Sequence, residues 1–147
     1  MDKCCKMAAF YIASFKALAQ IHQHNHWTSK GDSFYGNHLL FEKIYESALK
    51  NLDSAAEKFI GLFGEECLDY DLQAELLNKV LKKYSDLEGS PVQMSLAIEE
   101  DIIKLCKDAY VCFEQQDKLT LGLDDMLMSI ASNREDAVYL LKQSLED

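Results

Sequence analysis

All four histidines of the chain, His22, His24, His26 and His38, fall between positions 22 and 38. Imidazole is the commonest metal ligand among side chains, so the clustering raises the question of a metal centre. A di-iron centre inside one helical bundle needs a Glu-x-x-His pair on each of two helices. The sequence contains no such pair, which excludes a site of that kind within one chain. A different set stands out around His38. At about 100° per residue, His38, Glu42, Asp53 and Glu57 fall near 0°, 40°, 60° and 100° on one helix face. His38 and Asp53 are 15 residues apart, about 22 Å on a straight helix, so they cannot bind one ion within a chain. Two antiparallel copies of the helix would bring His38 of one beside Asp53 of the other, and twofold symmetry then makes two equal sites. Histidine nitrogen with carboxylate oxygen and open positions suits non-haem Fe(II). Spacing alone leaves a competing reading open, because i, i+4 polar pairs are common on any helix: Asp53 and Glu57 as solvated residues and His38 as a helix-start histidine.

These residues need long helices to hold them. The chain has 147 residues with one proline and six glycines, a composition that favours helices over the many turns of an all-β fold and fits one domain, residues 1–147, with one core. Helical apolar spacing predicts a first helix from about Lys3 to Trp27, with Phe10, Tyr11, Phe15, Leu18 and Ile21 along it. Thr28 to Ser33, with Gly31 and Asp32, reads as a turn. A second helix is expected over Phe34 to Phe63, stopped by Gly64. Glu65 to Ser90 holds a shorter amphipathic segment with Leu72, Leu76, Leu77, Val80, Leu81 and Tyr84 on one face. A connection this long suits a crossover between helices that point the same way. Ser90-Pro91-Val92-Gln93 is a capping-box start for a third long helix to about Gln116. After a joint at Asp117 to Thr120, a fourth runs to about Leu145. The fold class is all-α: a ferritin-like four-helix bundle with a long crossover carrying a short helix between helices 2 and 3.

The residues His26-Trp27-Thr28-Ser29-Lys30-Gly31, Phe34-Tyr35, His38, Tyr45, Asp53 and Ala56-Glu57 resemble the signature of the Dps family, the mini-ferritins. The signature is a His-Trp pair, a Lys-Gly turn, an aromatic pair, a second His and Asp-x-x-x-Glu, and the match covers roughly residues 20–63. Beyond it, Asp117-Lys118-Leu119-Thr120 resembles the family's Asp-x-x-Thr start of the last helix, and Tyr139 falls where the family often has Trp. The resemblance implies a hollow dodecamer built from twofold dimers, with ferroxidase centres at the twofold axes that oxidise Fe²⁺ to Fe³⁺ and feed a stored ferric mineral, which protects against oxidative damage. By position, His26 and His38 would be ligands from one chain, Asp53 and Glu57 would come from its partner, and Glu42 stands where some members place a further acidic ligand. Trp27 would lie beside the centre as an oxidisable ring, with plain packing as the alternative. His22 shares a face with His26, and a core or surface role is the simpler reading of it. Asp124 and Asp125 are candidates for the pore through which iron enters, although Gly122 stands near the place where a pore carboxylate is expected.

Charge bears on partners. The net charge of −10 opposes a basic nucleic-acid surface and favours attracting cations. Many Dps proteins bind DNA through a Lys/Arg-rich tail. Here the expected tail is only Met1 to Met7, with Lys3 and Lys6 against Asp2, and the last helix is expected to run straight to the end at Asp147. DNA binding is therefore not expected. A DNA-protecting shell, or a shell that binds another metal such as zinc without catalysis, is the competing function. The five cysteines, Cys4, Cys5, Cys67, Cys106 and Cys112, match neither a disulfide framework nor a zinc motif. They read as buried or incidental reduced thiols, with Cys4 and Cys5 exposed near the terminus. No apolar run is long enough to span a membrane and no secretory signal is evident, so the chain reads as cytoplasmic.

Overall fold

The computed structural model describes residues 1–145, so the expected end of the chain at Asp147 lies outside the described residues. Five α-helices follow in order: α1 (Lys3–Thr28), α2 (Phe34–Phe63), α3 (Tyr70–Ser85), α4 (Pro91–Gln115) and α5 (Leu121–Leu145), with a 3₁₀ turn, Glu65–Leu68, between α2 and α3. The described residues contain no strand, and no helix among them is long and apolar enough to cross a membrane.

Local chemistry sets the helix ends. Asp2 caps α1 by accepting from the Cys5 N–H at 2.8 Å. Gly64 ends α2 with φ 93°, a left-handed conformation that glycine adopts without a Cβ penalty. The Ser90 hydroxyl accepts from the Gln93 N–H and the Gln93 side chain accepts from the Ser90 N–H, a complete capping box at α4. Thr120 caps α5 through Leu123 N–H at 3.0 Å.

Helices α1, α2, α5 and α4 pack in a closed ring of four, and α3 lies over α1. This explains why α1 carries apolar residues all round: Ala8, Tyr11, Ile12, Phe15 and Leu18 are buried because α1 is covered on its outer side too. The crossover helix packs Leu77, Val80 and Leu81 against the core, and Gln73 donates to the Ala9 carbonyl at 3.0 Å. The start of α1 meets both the turn after α2, through Cys5–Cys67, and the end of α4, through Cys112 beside Lys3. Helices α2 and α4 therefore point the same way, which is what the long crossover requires.

The cysteines differ from the sequence expectation. Cys5 and Cys67 form a disulfide, and only Cys4, Cys106 and Cys112 are free thiols. Nor is the terminus a free tail: α1 begins at Lys3, which puts Cys4 and Cys5 in its first turn, where both are buried. Residue spacing could not show this pairing, because the partners are 62 residues apart and meet only once α2 has folded back along α1.

Candidate metal centre

The inward face of α2 carries Phe41, Ile44, Ala48, Asn51, Ala55 and Phe59, all buried. On the helical wheel these sit at roughly 220–300° relative to His38. The metal-capable residues occupy the other side. His38 and Glu42 are half-buried, and Asp53 and Glu57 are exposed. The core stripe therefore fixes the rotation of α2 so that its potential ligands face away from their own bundle. Exposed apolar residues share that outward face: Tyr35 is 71% and Leu49 45% exposed.

The short turn after α1 folds α2 back so that His26 and His38 meet. Their rings stack with centroids 3.8 Å apart and planes 20° apart. His26 Nδ1 lies 2.8 Å from the His38 carbonyl oxygen, and His38 Nδ1 lies 2.9 Å from the His26 carbonyl oxygen. A carbonyl only accepts, so each Nδ1 carries the hydrogen. In the neutral ring this leaves each Nε2 with a free lone pair, the form that binds metal. Phe34 stacks on His38 at 5.1 Å, and Tyr45 meets His26 edge-on at 5.5 Å, so aromatic rings flank the pair on both sides.

Trp27 is 68% exposed, which rules out packing in its own chain's core. With Tyr45, Leu49, Leu52 and Lys16 it lines a groove of about 400 Å³ on the outer side of α1 and α2. A second groove of about 530 Å³ shares Lys16, Leu49 and Leu52 and reaches Asp53. Together they form a trough from Trp27 to Asp53. Among the described residues, no three His, Cys, Asp or Glu side chains of one chain come together as a metal site. One chain thus brings together His26 and His38, while Asp53 and Glu57 stand farther along α2.

His22 belongs elsewhere. It is fully buried, with Nδ1 2.9 Å from Ser95 Oγ and Nε2 2.8 Å from Glu99 Oε2, so both ring nitrogens are occupied. Glu99 also faces Arg134 Nη1 at 3.5 Å, and Arg134 Nη2 donates to Ser47 Oγ at 2.7 Å. Asn25 completes the set by donating to Ser95 Oγ at 2.8 Å. This polar network touches all four helices of the ring. Burial lowers the Arg134 pKa, and the neighbouring Glu99 carboxylate opposes that shift. Sequence reasoning missed Glu99 and Arg134 because their partners lie on other helices. His24 is exposed, Asp124 is half-buried and Asp125 exposed. Lys58 Nζ lies 3.3 Å from where a Cβ on Gly122 would stand.

No family model matches the chain. A curated relative, the "DNA protection during starvation protein" of Brevibacillus brevis, is 28% identical over 129 residues, covering 84% of this chain and 82% of that protein. Among solved structures, Dps from Thermosynechococcus elongatus superposes with a TM-score of 0.82 at 17% identity, covering 99% of this chain and 91% of that one. A Dps protein from Bacillus brevis gives 0.79 at 23% identity, covering 99% of this chain and all of that one. In sequence and in fold, the chain is a Dps-like protein. The Dps-like fold is the ferritin-like arrangement expected from the helix plan, crossover included.

Proposed function

We propose that this Dps-like protein is a ferroxidase and iron-storage protein, with catalytic sites shared between two subunits. The observation that carries the reading is the reciprocal pair of Nδ1-to-carbonyl bonds that presents two imidazole Nε2 atoms side by side. A pair of histidines held this way is built to receive a metal ion. Fe²⁺ is the substrate. His26 and His38 would hold it from one chain, with the partner's Asp53 and the partner's Glu57 supplying carboxylates and Glu42 a further one. Hard oxygen donors favour the ferric state, so the mixed set helps the electron leave. With hydrogen peroxide as the acceptor, two ferrous ions give it two electrons, the O–O bond breaks, and two protons from solvent complete two waters. Trp27, exposed in the single chain beside the histidine pair, would pack at the interface near the centre and offer an oxidisable ring.

The trough from Trp27 to Asp53 and the exposed Tyr35 and Leu49 support an antiparallel second copy as the cover. The net charge of −10 suits a shell that draws cations inward. The likeness to Dps proteins supports a homo-oligomeric shell, which we take to be a dodecamer.

The test is complementation between two inactive variants. His26→Ala and Asp53→Ala homodimers should each be nearly inactive, since both of their sites lack a ligand. After dissociation, mixing in equal amounts and reassembly, a mixed dimer has one site with both defects and one with neither. Random pairing then restores about a quarter of wild-type sites. No recovery, with mixed assemblies confirmed by mass spectrometry, would refute the shared site.

A further inference from the structure

One end of the bundle gathers four of the five cysteines. Cys4 and Cys5 stand in the first turn of α1, Cys5 is bonded to Cys67, and Cys112 lies near the end of α4. The Cys112 sulfur is 4.0 Å from the carbonyl oxygen of Lys3, the residue next to Cys4. Cys4 and Cys112 are both thiols, and neither has a role in the metal centre, which lies toward the opposite end of α1. Cys106, the remaining thiol, is buried 3.5 Å from the Tyr11 hydroxyl, away from this pair.

We propose that Cys4 and Cys112 form a dithiol that hydrogen peroxide oxidises to a second disulfide, clamping the start of α1 to the end of α4 beside the Cys5–Cys67 bridge. The two sulfurs have different roles. Cys112 is half-buried and Cys4 fully buried, so peroxide reaches Cys112 first. The Cys4 thiol is pushed up by burial and then by its neighbours Cys112 and Asp2, with Lys118 pulling the other way. Buried from solvent, Cys4 reacts second. The Cys112 sulfur attacks the peroxide, an S–O bond forms, the O–O bond breaks, and the departing oxygen takes the thiol proton as water. The Cys4 sulfur then attacks the sulfenic acid, the S–S bond forms, and the hydroxyl leaves with the Cys4 proton as a second water. In sum, two thiols and one peroxide give a disulfide and two waters, with two electrons passing from sulfur to oxygen. A resolving thiol held beside the sulfenic acid closes the bond before further oxidation, which is what a nearby second cysteine provides.

The experiment uses the assembled protein without iron, treated with hydrogen peroxide equimolar to the chain, then denatured for thiol counting and digested for peptide mapping. Free thiols should fall from the three of Cys4, Cys106 and Cys112 to Cys106 alone. A cross-linked peptide should join Cys4 to Cys112 within one chain, with Cys5–Cys67 retained. His26→Ala should show the same thiol loss, so the result stands whatever becomes of the iron reading. Cys4→Ser should remove the cross-link and leave Cys112 as the sulfenic acid, trapped with dimedone, because one equivalent of peroxide carries a lone thiol one step. The proposal fails if wild-type Cys112 is oxidised while Cys4 stays a thiol. It also fails if Cys112 links separate subunits, or if Cys4 and Cys112 both remain reduced.

Discussion

His26 and His38 anchor each other through their backbones: each ring donates its Nδ1–H to the carbonyl of the other residue, at 2.8 and 2.9 Å. The arrangement couples the start of α2 to the end of α1, and it makes each histidine part of the support of the other. His38→Ala should therefore do more than delete one ligand, because it also removes the stacked ring that fixes His26. We expect Fe(II) oxidation by this variant to fall to the uncatalysed rate in stopped-flow absorbance. Tyr45→Leu keeps both ligands and removes only the edge contact on His26, so its loss should be about tenfold, as for residues that orient a ligand. Equal rates in wild type and His38→Ala would disprove a role for the pair.

Cys5–Cys67 ties the first turn of α1 to the crossover across 62 residues. Cross-linking a loop of this length restricts the unfolded chain and contributes about 2–4 kcal/mol. Cys5→Ser should lower the urea midpoint and steepen the slope, because the unfolded chain released from the cross-link exposes more surface. An unchanged midpoint would mean that the bond does not form in solution.

Much of the fold was legible in the sequence because its signals are local. Gly64 stops α2, the Ser90–Gln93 box starts α4, and the apolar stripe of α2 sets its rotation; each depends on residues within a few positions of one another. His26 and His38 were paired in the sequence only through the family resemblance, and the short turn between their helices is what stacks the two rings. The Nδ1-to-carbonyl bonds were not, because a backbone acceptor leaves no trace in residue identity. Glu99, Arg134 and Cys67 were missed for another reason. The partners are 77 residues apart for His22–Glu99, 87 for Ser47–Arg134 and 62 for the disulfide, and only the packing of the ring selects them. Asp53 and Glu57 stand exposed in the single chain, so their proposed role is defined by a neighbour's geometry.

Acid should act on the joint between α3 and α4. Burial pushes the Asp101 carboxyl up, but hydrogen bonds from the Tyr84 hydroxyl and the Lys83 ammonium, with the charges of Lys83 and Lys104, outweigh it and hold the group below the ordinary carboxylate range. Tyr84 donates at 2.5 Å and Lys83 at 3.1 Å. A carboxyl whose folded pKa is depressed adds stability above its unfolded value of about 3.9, and that stability is lost as pH falls through the lower folded value. Asp101→Asn should thus be less stable than wild type at about pH 7, and the gap should close in strong acid. A gap that stays constant over the whole range in chemical unfolding would contradict this assignment.

Duplex DNA should not bind the protein at physiological salt. Non-specific affinity comes from cations that displace counterions from phosphates, and a chain of net charge −10 repels the polyanion. The check is a gel-shift titration at about 150 mM salt with divalent ions removed. A shifted band under those conditions would show a basic surface strong enough to overcome the net charge.

Glu99 and Arg134 form an ion pair that is wholly buried, 3.5 Å apart, at the centre of the four-helix ring. A buried pair contributes little net stability against an apolar pair of the same volume, but removing one partner strands the other charge and costs about 3–5 kcal/mol. Glu99→Gln isolates this effect, because the amide oxygen can still accept from His22 Nε2 while the negative charge disappears. Arg134 would then sit uncompensated among Tyr11, Cys106 and Ser47. We expect Glu99→Gln and Arg134→Met each to lose a large part of the folding free energy. The double variant Glu99→Gln/Arg134→Met should lose much less than the sum, because no charge remains to be stranded. Urea unfolding of the four proteins gives the coupling directly. Small and additive losses would show that water reaches the pair and screens it, and the network would then be no determinant of how α1, α2, α4 and α5 are held together.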